Sequence, residues 1–302
     1  LERARLAEAR GGGTDSLPLR PPFHGEWRVT QGFNGPETHK QPWQHALDFD
    51  IAADGSNHGG SGALREDYFC FGAPVLAPIA GQVVRLRDDL ADTLPGEIDV
   101  ANNWGNFVLL RSGSLHVLLA HLRRGSMKVR IGEWVAAGQQ VSVCGSSGRS
   151  PFPHLHLQVQ RNDELGSPTL PFHLTNVLVR NARNAREFRL YHLPGQSEAV
   201  SAALSDDRLA TAIRLSRDRC LTYTLRRSGS ETERVTLRTK LTLLGQSRLE
   251  TGKGASAAFE ETAAVLGFYD RNARRDPMLD LWLLAVGLTP LSAVADQWRD
   301  RP

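Results

Sequence analysis

Apolar and polar positions alternate through Leu155-His156-Leu157-Gln158-Val159-Gln160, the period-two pattern of a strand with one face in a core. Short apolar runs broken by Gly, Asn or Pro recur upstream of it and predict further strands at Glu26 to Gly32, Ala46 to Ile51, Pro74 to Ala77 and Gln82 to Arg87. The same signals mark Phe107 to Arg111, Leu115 to His121, Trp134 to Ala136, Gln140 to Cys144 and His154 to Gln160. The pattern is all-β. Two longer segments between strands, Ala52 to Asp67 with its glycines and Asp88 to Asn103 with Asp88, Asp89 and Asp92, read either as groove walls or as surface loops.

A change of pattern past Phe172 predicts a second domain, with the break between Phe172 and Leu190. Arg189 to His192, Leu209 to Ile213, Cys220 to Leu225 and Val235 to Leu244 read as strands of an antiparallel sheet, with Arg226 to Arg234 as a polar hairpin tip. Pro277 to Gly287 reads as a short apolar helix. At the other end, Leu1 to Arg10 has helix-forming composition and Gly11 to Ser16 that of a flexible linker. The expected division is therefore 1–16, 17–175 and a β-rich accessory domain over 176–302. A helix and hinge following a membrane domain upstream of Leu1 would look like this opening, and so would a plain extension.

A chain of 302 residues with 40% hydrophobic residues has room for two cores. Its net charge of +3, from 36 basic and 33 acidic residues, comes with no basic patch interleaved with aromatics, which argues against a nucleic-acid partner. Cys70, Cys144 and Cys220 form no Cys-x-x-Cys pair and read as small buried side chains.

Chemistry concentrates in the first domain. His154 and His156, two apart on a strand, point the same way and suit either a metal or acid/base role or a wet sheet face. Asp48 and Asp50 are carboxylates at the same spacing, and His121 ends the apolar run Leu118-Leu119-Ala120. Cys144 to Ser150 is a loop of small residues that lets backbone approach the His-x-His strand.

In this order the segments resemble the lysostaphin/LytM-type zinc metallopeptidases, bacterial endopeptidases that cut peptidoglycan stem peptides or crossbridges. The resemblance spans about Trp27 to Gln160 and includes Phe71 to Val84, the Gly105-Asn106 strand, Ala120-His121-Leu122, Val129 to Gln139 and Gly145 to His156. It implies an antiparallel β-sheet peptidase domain of the duplicated hybrid motif type, followed by the β-rich accessory domain and its short helix. It also implies a zinc cofactor held by Asp48, His156 and a further histidine, with His121 and His154 as the catalytic pair.

At the first ligand the sequence departs from the family's His-x-x-x-Asp motif, because Gln44 stands four residues before Asp48. A regular strand puts His45 on the opposite face from Asp48, and an amide oxygen is a poor zinc donor. A β-bulge turning His45 into the groove would complete the set as Asp48, His156 and His45; Asp50, or His39 or His58 from flanking loops, are the other sources. Two functions follow. One is a zinc metalloendopeptidase of the bacterial cell envelope, periplasmic or extracytoplasmic, acting on peptidoglycan stem peptides or crossbridges. The alternative is a catalytically degenerate LytM-fold domain that binds a peptide or protein partner as scaffold or regulator.

Overall fold

The computed structural model describes residues 17–180, 185–203, 207–215, 218–226, 232–243, 245–261 and 265–291. The expected amino-terminal helix and linker and the tip of the 226–234 hairpin lie outside them. The chain divides into two compact units, one running to Ala202 and the other from Ala203.

The first unit is built on a twelve-stranded sheet. Its strands are β1 (Leu17–Leu19), β2 (Glu26–Gln31), β3 (Ala46–Asp50), β5 (Gly81–Arg87), β6 (Asn106–Ser112), β7 (Leu115–Leu122), β8 (Trp134–Val135) and β10 (Leu155–Gln160). It continues with β11 (Thr169–Leu170), β12 (Phe172–Arg180), β13 (Arg186–His192) and β14 (Ala199–Ala202), while β4 (Pro74–Leu76) and β9 (Gln140–Val143) form a separate two-stranded ladder. The order along the main path is β1-β12-β14-β2-β3-β10-β7-β6-β5-β8. The nine strands expected between Glu26 and Gln160 are present to within two residues at each end.

The sheet does not stop where the pattern suggested. Strand β14 sits between β12 and β2, so the residues 176–202 assigned to an accessory domain complete the first unit. The composition shift near Phe172 marks a change from a sheet buried on both faces to one whose outer strand, β13, is half exposed. Pairing across a sheet ignores such a shift.

On one side of the sheet Trp27, Phe49, Leu119, Leu155, Leu157 and Val159 join a continuous core that also takes in Cys70 and Cys144. A smaller cluster of Phe107, Leu109, Leu118 and Ala120 covers the other face, with Trp104 and Leu165 packed on it. This second cover explains why all six residues of β10 are buried, glutamines included. Each large aliphatic side chain so enclosed contributes about 1.5–3 kcal/mol.

The second unit is a six-stranded antiparallel sheet of β15 (Cys220–Arg226), β16 (Thr232–Leu241), β17 (Ser247–Thr251), β18 (Ser256–Glu261), β19 (Val265–Tyr269) and β20 (Leu288–Pro290), in sequence order. Helix α1 (Asp207–Ile213) stands where a strand was expected at Leu209 to Ile213. The run was short enough to fit either period, and Leu209, Ala210 and Ala212 are good helix formers. Helix α2 (Pro277–Val286) is capped by Asp276, whose side chain accepts from the Met278 and Leu279 amides at 3.0 and 3.3 Å. Leu237, Leu249, Phe259, Phe268 and Leu279 form its core. Cys220 is exposed, unlike the other two cysteines. No helix among the described residues is long and apolar enough to cross a membrane.

Candidate metal centre

Strand register brings the chemistry together. His156 on β10 lies directly opposite Asp48 on β3, and Asp48 lies opposite Gln31 on β2. Directly opposed side chains on one sheet face are within contact distance, and here His156 Nδ1 stands 2.8 Å from Asp48 Oδ1 while Gln31 Nε2 donates to Asp48 Oδ2 at 2.9 Å.

The third member comes from a loop. Between β2 and β3 the chain runs out and back through residues 32–45, and this excursion brings His39 Nε2 to 3.1 Å from Asp48 Oδ2. One donor atom from each of His39, Asp48 and His156 lies within 4.8 Å of the others, and all three residues are buried. His45 is elsewhere. Its Nδ1 faces the Thr169 carbonyl at 3.1 Å and its ring packs edge-on against Phe33. The assignment of His45 as a ligand is therefore corrected to His39: β3 begins at Ala46, and no bulge turns His45 inward. Asp50 is bound bidentately by Arg28, with Oδ1 at 3.0 Å from Nε and Oδ2 at 2.6 Å from Nη2. His58 pairs with Asn57, so neither Asp50 nor His58 joins the cluster.

Hydrogen-bond polarity fixes which ring nitrogens are free to bind a cation. Gln160 Nε2 reaches two backbone carbonyls, those of Asn162 and Glu164, both at 2.8 Å. A carbonyl only accepts, so the Gln160 amide oxygen must face Gln158 Nε2 at 2.9 Å. The Gln158 oxygen then faces His156 Nε2, again at 2.9 Å, and that nitrogen must carry the proton. In the neutral ring, the form that binds a cation, the lone pair of His156 is then at Nδ1, beside Asp48. His39 obeys the same rule from the other side. Its Nδ1 donates to the Gly32 carbonyl at 2.8 Å, leaving the lone pair at Nε2.

His39 Nε2 is buried and has no hydrogen-bond partner, since its approach to Asp48 is off the line of a hydrogen bond. A buried polar atom left so costs about 1–3 kcal/mol. Two imidazole lone pairs and a carboxylate are also a borderline-soft donor set suited to zinc. The two imidazole nitrogens stand 3.1 and 2.8 Å from the two oxygens of the one carboxylate, and one donor from each residue lies within 4.8 Å of the others, close enough for a single ion to reach all three. The residues fit a zinc ion.

The electrostatics match. Burial works against the charged Asp48 carboxylate, but the surrounding His39, His154 and His156 imidazoles hold its pKa well below the usual value. For His39, burial disfavours the proton while Asp48 and the Gly32 carbonyl favour it, and the balance is raised.

His121 and His154 face the same groove, their ring centroids 4.6 Å apart. His121 sits at the end of β7 with φ of 61°, a left-handed conformation uncommon for a side-chain-bearing residue, beside a register shift at Asn106/Phe107. In regular continuation from Ala120, which faces His156, it would point away. Its Nδ1 donates to the Ser147 carbonyl at 2.9 Å. Burial and the neighbouring His154 and His156 push its pKa well below 6.5. His154 Nδ1 donates to the Phe152 carbonyl at 2.9 Å, and its Nε2 lies 3.8 Å from Asp48 Oδ1. Both rings therefore present a lone pair at Nε2.

The acidic insertion proves to be a brace for these rings. Asp92 accepts from the Ser146 and Arg124 amides at 2.7 and 3.1 Å, and Asp88 from Ser126 and Met127. Thus Asp92 fixes the loop whose Ser147 carbonyl orients His121. That loop also presses on Gly105, where a Cβ would fall 2.2 Å from the Ser147 oxygen. Trp104 stands 5.3 Å from His156 and packs on Trp43, forming one wall of a groove of about 590 Å³.

The sequence model of Peptidase family M23 matches residues 66–168. The chain carries an M23 peptidase domain. The matched stretch takes in His121, His154 and His156 but begins after His39 and Asp48. Among solved structures, a mutant catalytic domain of the prophage-encoded M23 protein EnpA from Enterococcus faecalis is 18% identical, covering 50% of this chain and 93% of its own, with a TM-score of 0.33. The catalytic domain of the antimicrobial peptidase lysostaphin from Staphylococcus simulans is 22% identical, covering 49% and 88%, with a TM-score of 0.31. A zinc-containing peptidase from Vibrio cholerae is also 22% identical over 47% of this chain and 36% of that one, with a TM-score of 0.31. No curated protein sequence matches the chain.

Proposed function

We propose that the chain is a zinc-dependent endopeptidase directed at peptidoglycan stem peptides or crossbridges in the bacterial cell envelope. The observation that carries this reading is the position of His39. It gives Asp48 and His156 the second nitrogen donor that Gln44 does not supply. Three protein ligands leave one position of a tetrahedral ion open, as hydrolytic sites require.

His39, Asp48 and His156 would hold a zinc ion, which would supply Lewis acidity toward a scissile carbonyl and toward water. The chain's own residues do the rest. His121 is kept neutral by burial, so its Nε2 accepts a hydrogen bond from water and orients it without retaining the proton. Carrying the proton falls to His154, whose Nε2 also faces the groove beside the Asp48 carboxylate. Once protonated, that nitrogen donates to the oxyanion of the tetrahedral intermediate or to the leaving amine. Trp43 and Trp104 keep water from one side of the groove.

The competing reading, a degenerate domain that binds a protein or peptide without cutting it, rested on the missing ligand. A binding surface has no chemical need for two imidazole lone pairs beside a His-Asp-His cluster. The test is incubation of the purified chain with peptidoglycan and synthetic stem peptides, reading new amino termini. Cleavage that stops on chelation and on His154→Ala, with zinc binding retained in that variant, is expected. A zinc-loaded chain that cuts none of these substrates would favour the binding role.

A further inference from the structure

We propose that Gln31 is a positioning residue of the metal centre, the peg around which the His39 loop is wound; this rests on the His39-Asp48-His156 reading above. Gln31 is 6% exposed. Its side-chain oxygen accepts from the backbone amides of Glu37 and Thr38 at 2.8 and 2.9 Å, and from that of His39 at 3.4 Å. Its nitrogen donates to Thr38 Oγ1 and to Asp48 Oδ2, both at 2.9 Å. One amide thus holds the backbone that carries the first ligand and the carboxylate that is the second.

Two features of the chain serve this contact. First, β2 and β3 slip register between Val29 and Gln31: Val29 pairs with Phe49, yet Gln31 rather than Thr30 falls opposite Asp48. The extra residue is a β-bulge, a device that re-aims a side chain beside a site. Second, the loop closes on Gln31 at Gly35, where a Cβ would lie 2.2 Å from Gln31 Cγ and 2.8 Å from its Oε1. Gly35 does not have a left-handed φ, so the constraint there is space for Gln31 and not backbone conformation.

A ligand borne on a strand is aimed by the ladder. His39 is on a loop of fourteen residues, 32–45, and needs another source of rigidity. Partners that orient ligands typically change metal affinity 10–100-fold when removed, and Gln31 orients two.

The experiment is an equilibrium titration of the full chain with Zn²⁺ against a competing chelator, paired with the visible d–d spectrum of the Co²⁺ form, which reports ligand number and geometry. Gln31→Leu is expected to weaken Zn²⁺ binding about 10–100-fold and to change the Co²⁺ spectrum toward that of a site with fewer protein ligands. Gly35→Ala is expected to do the same by displacing the amide. The double variant Gln31→Ala/Gly35→Ala, which has no Cγ to collide with, should bind no more weakly than Gln31→Ala alone. A merely structural role would lower the melting temperature and leave the Co²⁺ spectrum of the folded protein unchanged, and that result would overturn the proposal. So would additive losses in the double variant. Wild-type chain that binds neither ion would instead refute the metal-site reading on which this rests.

Discussion

Replacing Gln158 by leucine isolates the relay that sets the His156 tautomer. Gln158 is fully buried and makes two 2.9 Å bonds, accepting from His156 Nε2 and donating to Gln160 Oε1. Leucine is of similar size and makes neither. Two buried polar atoms lose their partners, each at about 1–3 kcal/mol, and the gain from a more apolar side chain offsets part of this. A net loss of about 2–4 kcal/mol in unfolding free energy follows, read by urea denaturation of the metal-free chain. The effect on the metal is separate. Without an acceptor at Gln158, the proton is free to move from Nε2 to Nδ1, where Asp48 Oδ1 stands 2.8 Å away to receive the bond. That tautomer blocks the ligand atom, so zinc affinity should fall about 10–100-fold, or about 1.4–2.8 kcal/mol. Stability loss with zinc affinity within twofold of wild type would refute the reasoning, because the ring would then be held by something other than the relay.

Three other outcomes are expected. As pH falls from about 6.5 toward 5 the unfolded chain protonates at position 121 while buried His121, with its lowered pKa, does not, so stability falls; the His39 contribution, from a raised pKa, is already complete in that window and is lost only as pH rises above 6.5. His121→Asn should therefore make urea midpoints less sensitive to pH in that window, while the Asp48 contribution is lost only below about 3.8, and an unchanged slope would contradict this. Gly105→Ala, which forces back the Ser147 carbonyl that orients His121, should cut peptidase turnover at least tenfold while leaving zinc affinity near wild type, measured by peptide hydrolysis and metal titration. A chain ending at Ala202 should unfold cooperatively, whereas one ending at residue 175 lacks β14 and most of β12, leaves one edge of β2 unpaired, and should show no cooperative melt by circular dichroism.

The strands of the twelve-stranded sheet were legible because their period survives in sequence. Leu155 to Gln160 alternates, and β6 and β7 are apolar runs bounded by turn residues. The pairing of His154 with His156 was legible for the same reason. What the period could not carry was anything that departs from a regular strand. His121 faces the groove through a left-handed φ, and Gln31 meets Asp48 only because a bulge shifts β2 by one residue. The first ligand lies nine residues before Asp48, on a loop, where the familiar motif spacing looks only four back. One signal was available. Gly32, Gly35 and Pro36 mark a tight excursion immediately after a strand that ends in Gln31, and such an excursion can return a histidine to the sheet. The second-unit boundary was misplaced because β14 pairs with strands far away in sequence, which composition does not register.

Equilibrium zinc titration of the wild type, His39→Ala and His45→Ala tests the account most directly. His39 Nε2 stands 3.1 Å from Asp48 while His45 is engaged with Thr169. The prediction is one zinc per wild-type chain, a loss of at least about 100-fold in affinity on His39→Ala, and affinity within about threefold of wild type on His45→Ala. Zinc binding that survives His39→Ala and is lost on His45→Ala would contradict it.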